Sequence, residues 1–451
     1  MSKPKKKRLQ LSPTQTIAVV FAIIILIGTL LLALPAASRS GKSIGLLPAL
    51  FTATSTTCVT GLTAGDTYTL FSGFGQMVII TLIEIGGLGF MSMASLVIFA
   101  LRKKIGLRQR MVIAQALSVN EMESVVRLQK WVLLGSLTVQ LTGAVILFLR
   151  FLPDFGWVTA CKWGVFHSVS AFCNAGFDIF GVLEPGVSVA MFQNDPLVLI
   201  TLMSLVTVGG LGFFVWEEVL TERRFKRLSA YTKLVLVTTG VLILSGAGLF
   251  LLLEWNNPGT LGELTVGSKI LNSFFQSVTL RTAGFASFDQ AALTDAGKSV
   301  SLVFMLIGGS SGSTAGGAKT VTFVVLVLFL IARCRGKNTV NVFKRSISQD
   351  KIMDAATIVG IMTVLSLTGA IFITATCPVE FTDALFETVS ALGTVGITAN
   401  VTPLLGTAAK LMIVVFMYFG RVGILTISLG FLMGNKAEDR YRYAGANLLI
   451  G

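Results

Sequence analysis

The chain has 451 residues, of which 53% are hydrophobic and 13% are charged, and its mean hydropathy is +0.80. This composition excludes a soluble globular protein and indicates a polytopic helical membrane protein. The net charge of +14 does not indicate nucleic-acid binding, because the basic residues are confined to short segments between apolar stretches.

Eight apolar stretches are long enough to cross a membrane, since a helical span needs about 20 apolar residues. The first follows the basic segment MSKPKKKR and imitates a secretory signal. Its apolar part is longer than the roughly 7–15 residues of a signal core, so we expect a retained helix. In chain order the stretches cover residues 16–36, 74–100, 131–152, 197–221, 232–254, 299–332, 355–376 and 407–433.

Lysine and arginine concentrate in residues 1–15, 102–130, 222–233, 333–351 and 434–451. By the positive-inside rule we expect these segments, and both termini, in the cytoplasm, with the apolar stretches in contact with membrane lipid. The intervening loops hold most of the acidic residues, which would raise the cation concentration at an outer mouth. These are Asp66, Asp178, Asp195, Asp289, Asp295 and Asp383.

Four segments between the stretches share one pattern: a Phe, then small and hydroxyl residues, then a Gly ten positions after the Phe. They recur about every 110 residues, and none lies inside an apolar stretch. Such a repeat indicates a fold built from similar units. The copies are FTATSTTCVTG (51–61), FHSVSAFCNAG (166–176), FFQSVTLRTAG (274–284) and FETVSALGTVG (386–396).

Each segment predicts a re-entrant hairpin, because ten helical residues span only about 15 Å. Non-helical backbone at that depth is stable only inside protein or beside water. We therefore expect the carbonyls around each glycine to face a common axis, where they can replace the hydration shell of K⁺. The alternative, that the glycines only pack helices, places them within spans rather than between them. The predicted ligands are the carbonyls of Val59, Thr60, Gly61, Asn174, Ala175, Gly176, Thr282, Ala283, Gly284, Thr394, Val395 and Gly396.

The second stretch of each pair also carries glycines, as in IGGLG (85–89) and VGGLG (208–212), where close helix packing is the simpler explanation. The third pair differs, since GGSSGSTAGGAK (308–319) is too rich in Gly and Ser to remain helical. A break within a span must line a cavity. We expect an intramembrane loop over 308–318, with Gly308, Gly309, Ser310, Ser311, Gly312, Ser313, Thr314, Gly316 and Gly317, followed by Lys319.

Three cations lie within or beside these elements. Arg281 precedes Gly284 by three residues; we expect it to point away from the axis, towards backbone carbonyls or a carboxylate such as Glu387 or Asp289. Arg421 is the deepest cation of the last stretch, and an ionisable residue there is functional by default, with a partner. Lys319 is expected either to reach the cytoplasm or to line the inner pore.

The segment Thr394-Val395-Gly396-Ile397 resembles the potassium-channel filter TVGYG. With its four glycine repeats, the whole chain resembles the ion-translocating subunits of the Ktr/Trk/HKT superfamily of potassium transporters, most closely the bacterial KtrB type. Eight spans fit the Ktr branch better than the Trk branch. Members with serine at the first filter glycine tend to favour sodium, so Gly61 implies potassium.

The resemblance implies that the 308–318 loop is a gate below the filter, which obstructs ion flow at rest, and that Arg421 faces it. The expected partners of Arg421 are carbonyls of 308–317, or the carboxylate of Glu84 or Glu217. The resemblance also implies two protein partners: a second copy of the chain, and a soluble nucleotide-binding regulatory ring of the KtrA/TrkA type. The chain itself is expected to hold no cofactor, only K⁺ as the transported ion.

The expected fold is thus an all-α polytopic membrane protein of eight transmembrane helices and four re-entrant half-helices around a pseudo-four-fold pore. Residues 1–15 form a cytoplasmic basic N-terminus and residues 434–451 a cytoplasmic tail. The four repeats between them cover 16–101, 131–222, 232–332 and 355–433.

Three other functions are weaker. An alternating-access cation transporter usually has two inverted repeats, and an enzyme would need a polar constellation that a chain with one histidine, His167, does not offer. The third alternative, a sodium-permeable member of the same superfamily, is not decided by the sequence.

Overall fold

The computed structural model describes residues 13–89, 125–184 and 186–423. Most of the basic N-terminus, most of the basic loop 102–130, the ends of the predicted stretches 74–100 and 407–433, and the tail 434–451 lie outside the described residues. Within them the helices are α1 (Pro13–Leu32), α2 (Leu46–Thr57), α3 (Thr67–Leu70), α4 (Gly73–Leu88), α5 (Val125–Phe172), α6 (Pro196–Leu211), α7 (Phe213–Glu222), α8 (Ala230–Glu254), α9 (Val266–Thr279), α10 (Asp295–Leu306), α11 (Thr320–Cys334), α12 (Gln349–Thr376), α13 (Phe381–Gly393) and α14 (Thr407–Val422).

The described chain is almost wholly helical outside its connections. One short antiparallel strand pair, β1 (Asn341–Val342) and β2 (Arg345–Ser346), places Asn341 opposite Ser346 and closes the turn between α11 and α12. Five short 3₁₀ turns lie in the other connections, among the residues that the structure describes.

Several described helices are long and apolar enough to cross a membrane. Four qualify singly, within α1, α5, α8 and α12, and the pair α6–α7 qualifies as a fifth if it is one bent span. The shorter helices α4 and α11 are also apolar. These lengths agree with a multi-pass membrane protein, whose spans need about 20 residues.

One predicted span is not continuous. The stretch 197–221 was expected to be a single helix, but α6 and α7 meet at Gly212 with a bend of 94°. Gly212 has φ of 95°, a conformation that opposes helix continuation and is open mainly to glycine. The helices α4 and α14 end in the same way, at Gly89 (φ 81°) and Gly423 (φ 92°).

Four short helices precede the four repeat glycines. They are α2, the part of α5 after Gly156, α9 and α13. Gly156 (φ 73°) separates the long first part of α5 from this short second part. We call these four the pore helices.

Helix contacts join successive parts of the chain into a closed ring. The first and fourth pore helices, α2 and α13, pack against the helices on either side of them in sequence, α9 packs against α8, and α5 packs against α6. Between these groups, α4 contacts α5, α6 contacts α9, α10 contacts α13, and α14 returns to α2. The chain therefore brings the ends of its four pore helices towards one place.

Candidate ion pathway

The segments that follow the pore helices have the same backbone shape. Two residues before each glycine, the backbone is left-handed: φ is 55° at Val59, 57° at Asn174, 64° at Thr282 and 50° at Thr394. The glycines Gly61, Gly176, Gly284 and Gly396 have φ of 106°, 68°, 83° and 89°. Left-handed backbone is rare for β-branched residues such as Val and Thr, and strain of this kind clusters at functional sites.

A local hydrogen bond fixes this shape in each segment. The amides of Thr60, Ala175 and Val395 each donate to the carbonyl five residues earlier at 2.8 Å, and Ala283 donates to Thr279 at 2.9 Å. These amides therefore point back to their own pore helices. Because the carbonyl and the amide of one peptide unit point in opposite directions, the carbonyls of Val59, Asn174, Thr282 and Thr394 are turned away from the pore helices.

The four glycine segments meet in chain order. A Cβ built on Gly61 would lie 2.8 Å from the Ala175 oxygen, one on Gly176 2.8 Å from the Ala283 oxygen, and one on Gly284 2.8 Å from the Val395 oxygen. A Cβ on Gly396 would overlap the Thr60 oxygen, which closes the cycle. All twelve predicted ligand residues thus lie in segments that the structure brings together, and glycine is the residue that this packing accepts.

A cavity of about 450 Å³ opens on one side of the four glycines. Three of the six predicted acidic residues line it: Asp66, Asp178 and Asp289. Burial, reinforced by the nearby charge of Asp66, raises the pKa of Asp178 to about 6. We call this cavity the vestibule; its carboxylates can attract cations.

The other acidic residues serve other contacts. Asp195 pairs with Arg150 at 2.6 Å and caps α6, and Asp383 pairs with Lys298 at 2.6 Å. Asp295 lies in the first turn of α10. Three of the six acidic residues thus line the vestibule, and the other three have contacts elsewhere.

On the opposite side of the glycines, the chain between α10 and α11 forms a non-helical loop over residues 307–319. Its amides at Ser310 and Thr314 donate to the carbonyls of Gly210 and Gly209 at 3.0 and 3.2 Å, and Gly317 donates to Gly420 at 3.3 Å. The Thr314 hydroxyl also reaches the Phe172 carbonyl and the Asn174 side chain, each at 3.0 Å. The loop thus lies directly under the second and fourth glycine segments.

Arg421 joins this loop to the first part of the chain. Its guanidinium donates to the carbonyls of Thr314 and Gly86, and to that of Gly87 at 3.0 Å. A carbonyl within 308–317 was one of its predicted partners. The carboxylates of Glu84 and Glu217 are not: Glu84 instead accepts from Gln140 at 3.0 Å and from the Cys173 thiol at 3.3 Å.

Arg281 was expected to contact backbone carbonyls or a carboxylate such as Glu387 or Asp289, and in the described chain its guanidinium contacts neither of these carboxylates. Its guanidinium is buried and donates to the Thr239 hydroxyl at 3.3 Å, and its Nε has no partner in the described chain. Glu387 is occupied by the hydroxyls of Thr398 (2.6 Å) and Thr402, and Asp289 by Asn400 at 3.2 Å.

Two other polar side chains make local contacts. The Lys319 ammonium is half-buried and donates to the Ala315 carbonyl at 2.8 Å. His167 is fully buried in its pore helix, stacked on Phe180 with ring centroids 3.8 Å apart. Its Nε2 accepts from the Ile179 amide at 3.2 Å, so it fastens the chain beyond Gly176.

Sequence reasoning missed two residues that hold the loop. The Phe213 amide donates to the Gly312 carbonyl at 2.8 Å, and the Tyr231 hydroxyl donates to the Ser311 carbonyl at 3.2 Å. Phe213 directly follows the helix break at Gly212, which a glycine-terminated motif shared by three stretches could have signalled. Tyr231 carries no comparable signal.

Comparisons with known proteins cover nearly the whole chain. Residues 3–439 match the family described as TrkH, cation transport protein. The chain is 40% identical over 452 residues to the potassium/sodium uptake protein NtpJ of Enterococcus hirae, covering 99% of both. It is 40% identical over 437 residues to the Ktr system potassium uptake protein B of Bacillus subtilis, covering 96% of both.

Among solved structures, the potassium transporter TrkH of Vibrio parahaemolyticus has a similar fold. The TM-score is 0.73 with 17% sequence identity, and the match covers 95% of this chain and 87% of that one. At this identity the likeness concerns the fold alone.

Proposed function

The chain belongs to the TrkH family of cation transport proteins, and from this premise we propose that it is a potassium-translocating subunit of a Ktr-type uptake system. In this proposal the four glycine segments form the ion filter. The relatives are named as transport proteins and not as enzymes, which agrees with a role in moving ions rather than in chemistry.

The observation that carries the proposal is the cyclic packing of the four glycines against the carbonyls of Ala175, Ala283, Val395 and Thr60. Only in a ring does every segment present the same carbonyl to its neighbour. Such a ring supplies oxygen atoms that stand in for the hydration shell of K⁺. The ends of four pore helices, each with the negative pole of its dipole towards the ring, add to the attraction for a cation.

The proposed architecture has four span–pore-loop–span repeats around a pseudo-four-fold axis, over residues 16–101, 131–222, 232–332 and 355–433. The ring of contacts from α4 to α5, α6 to α9, α10 to α13 and α14 to α2 supports it. Residues 1–15 and 434–451 are assigned to the cytoplasm of a cell-membrane protein, because basic residues concentrate there. The vestibule then faces outwards and the 307–319 loop inwards.

In this orientation the loop is the gate. Its contacts with Asn174, Gly209 and Gly420 support a position across the path of an ion that has passed the filter. Arg421 anchors the loop through the Thr314 carbonyl while holding the first repeat through Gly86. Small residues allow the loop to change shape at low cost.

The proposal includes a homodimer and a nucleotide-binding regulatory ring of the KtrA/TrkA type. The name of the Bacillus subtilis relative, protein B of a Ktr system, supports an assembly of several subunits. The basic segments 102–130 and 333–351 and the tail 434–451 are the parts of the chain to which a cytoplasmic partner would bind in this proposal.

Sodium permeation is the second candidate, because one relative is named a potassium/sodium uptake protein. Glycine at position 61 favours potassium. An alternating-access mechanism has less support, since the four glycine segments form one continuous ring.

The test is rescue of a potassium-uptake-deficient bacterium at low external K⁺ by the parent chain and by Gly61→Ser. We expect the parent to restore growth and to favour K⁺ over Na⁺ in competition. The variant should lose that preference, because a Cβ at φ of 106° would lie 2.8 Å from the Ala175 oxygen. Failure of the parent to take up K⁺ would refute the proposed function, and equal selectivity in both would remove Gly61 from the filter.

A further inference from the structure

The residue after each filter glycine is held differently in different repeats. In the second repeat the Ser170 hydroxyl donates to the Phe177 carbonyl at 2.7 Å, and in the third the Thr279 hydroxyl donates to the Phe285 carbonyl at 2.6 Å. Both hydroxyl residues are buried in their pore helices. The two carbonyls therefore point back towards the pore helices and away from the glycine ring.

The first and fourth repeats lack this hydrogen bond. In the first repeat, Ser55 has the position of Ser170, and its hydroxyl oxygen accepts from the Gly61 amide at 3.1 Å. In the fourth repeat, Ser390 accepts from the Gly396 amide in the same way, also at 3.1 Å. No residue within the described ranges donates a hydrogen bond to the Leu62 or Ile397 carbonyl. In these two repeats the hydroxyl binds the amide of the glycine, so the carbonyls of Leu62 and Ile397 are free to face the proposed filter.

The side chains follow the same division. The residue after the glycine is a Phe in the second and third segments (Phe177 and Phe285) and an aliphatic residue in the first and fourth (Leu62 and Ile397), and all four side chains are buried. A large ring packed behind the segment and a hydroxyl bonded to its carbonyl both fix that peptide. Two adjacent repeats thus differ as a pair from the other two.

We infer that Ser170 and Thr279 are positioning residues that withhold two carbonyls from the ion path. Resting on the proposed filter, this means that the outermost ring of oxygen atoms comes from the first and fourth repeats only. An ion at that level keeps water on the side of the second and third repeats. Because the number of coordinating carbonyls contributes to K⁺ selectivity, this outer site discriminates less than a complete ring would.

The test removes each hydroxyl in the full-length chain and measures initial K⁺ uptake with Na⁺ as competitor, in the potassium-uptake-deficient bacterium. Ser170→Ala or Thr279→Ala leaves a buried carbonyl without its donor, and an ion on the axis can then satisfy it. We expect the preference for K⁺ over Na⁺ to rise about threefold or more in each variant. It should rise further in the double variant.

The matched control is Thr56→Ala. Thr56 has the same position in the first pore helix as Thr279 has in the third, but its hydroxyl bonds within the helix, to the Thr52 carbonyl at 2.8 Å. Its removal should leave the preference unchanged. The conservative changes Ser170→Thr and Thr279→Ser keep the donor and should keep the parent preference.

A loss of folding lowers uptake of both ions together, so the ratio separates positioning from a structural role. If the alanine variants do not accumulate, Ser170→Cys provides a second measurement, because a thiol of similar size is a weaker donor. Its preference should lie between those of parent and alanine variant.

An unchanged or lower preference in these variants, with K⁺ uptake intact in the parent, would overturn the inference and leave the proposed function standing. No uptake by the parent would instead refute the proposed function.

Discussion

The filter segments and the 307–319 loop are both glycine-rich breaks beside apolar helices, but they are held in opposite ways. Each filter segment is bonded to its own pore helix, as in Val395 to Ser390 at 2.8 Å. The loop is held by distant parts of the chain, among them Gly209, Phe213 and Arg421. Its bond from Arg421 to Thr314 joins residues 107 positions apart.

This difference in hydrogen bonding indicates which of the two elements can change its shape. A backbone fixed by bonds within about six residues keeps its shape when neighbouring helices shift. A backbone fixed by several remote partners keeps its shape only while those partners stay in place. This contrast suits a rigid filter and a movable gate, and four changes can test it.

The largest effect is expected in the filter. Gly284→Ala would place a Cβ 2.8 Å from the Val395 oxygen at φ of 83°, where glycine alone is unstrained. We expect K⁺ uptake to fall more than about tenfold, from a left-handed penalty of about 1–2 kcal/mol and the added overlap. The control is Gly248→Ala in α8, where a Cβ meets nothing within 4 Å; uptake by it should match the parent, and equal activity in both variants would contradict a rigid ring.

A smaller effect, of opposite sign, is expected at the loop. Arg421→Gln removes charged donors to the carbonyls of Thr314, Gly86 and Gly87. Hydrogen bonds to charged groups contribute about 1.5–3 kcal/mol each, so K⁺ leak through the resting protein should rise about tenfold. Lys410→Gln on the same helix serves as the control. A fall in flux with an unchanged leak would mean that Arg421 does not hold the loop closed.

Tyr231→Phe tests one remote bond of the loop. The change removes the hydroxyl that donates to the Ser311 carbonyl at 3.2 Å, a bond worth about 0.5–1.5 kcal/mol. The resting leak should rise about twofold to fivefold, measured as K⁺ efflux from loaded cells. Tyr418→Phe, which loses a bond to Ala18 at 2.7 Å, is the control away from the loop. A leak that rises equally in both would point to general loosening.

The smallest effect is expected from the vestibule. Asp178 has a pKa raised to about 6, so lowering the outer medium from about pH 7.5 to about pH 5 protonates it and removes one negative charge. Asp66 and Asp289 also line the cavity. Uptake at subsaturating K⁺ should then fall about twofold, while the maximal rate stays constant. In Asp178→Asn, K⁺ uptake at subsaturating K⁺ should already be low at neutral pH and should change less on acidification. If the variant keeps the full pH dependence, another titrating group causes it.

Much of the fold could be predicted from the sequence. Apolar stretches and the Phe-to-Gly repeat are local signals, so helix positions and the four glycine segments followed from them. The closing contacts could not be predicted in the same way. Arg421 was expected to face either carbonyls or carboxylates, and only the folded chain, which brings the carbonyls of Thr314, Gly86 and Gly87 to its guanidinium, decides for carbonyls.

One prediction was wrong, and another was left open, for the same physical reason. The stretch 197–221 was predicted as continuous because its hydropathy does not change at Gly212, although the backbone there turns by 94°. Arg281 was expected to contact backbone carbonyls or a carboxylate because an isolated buried charge is costly, but the contact that its guanidinium makes is the Thr239 hydroxyl. Composition indicates that a residue is buried, whereas the direction of a helix or a side chain depends on single backbone angles.

The bond from Arg421 to the Gly86 carbonyl spans 335 residues of chain. This contact can therefore form only after the last described helix has been synthesised. Under the proposed function, an unfinished chain has no complete ion pathway, so a membrane that is still assembling the protein is not expected to lose ions through the partly built product.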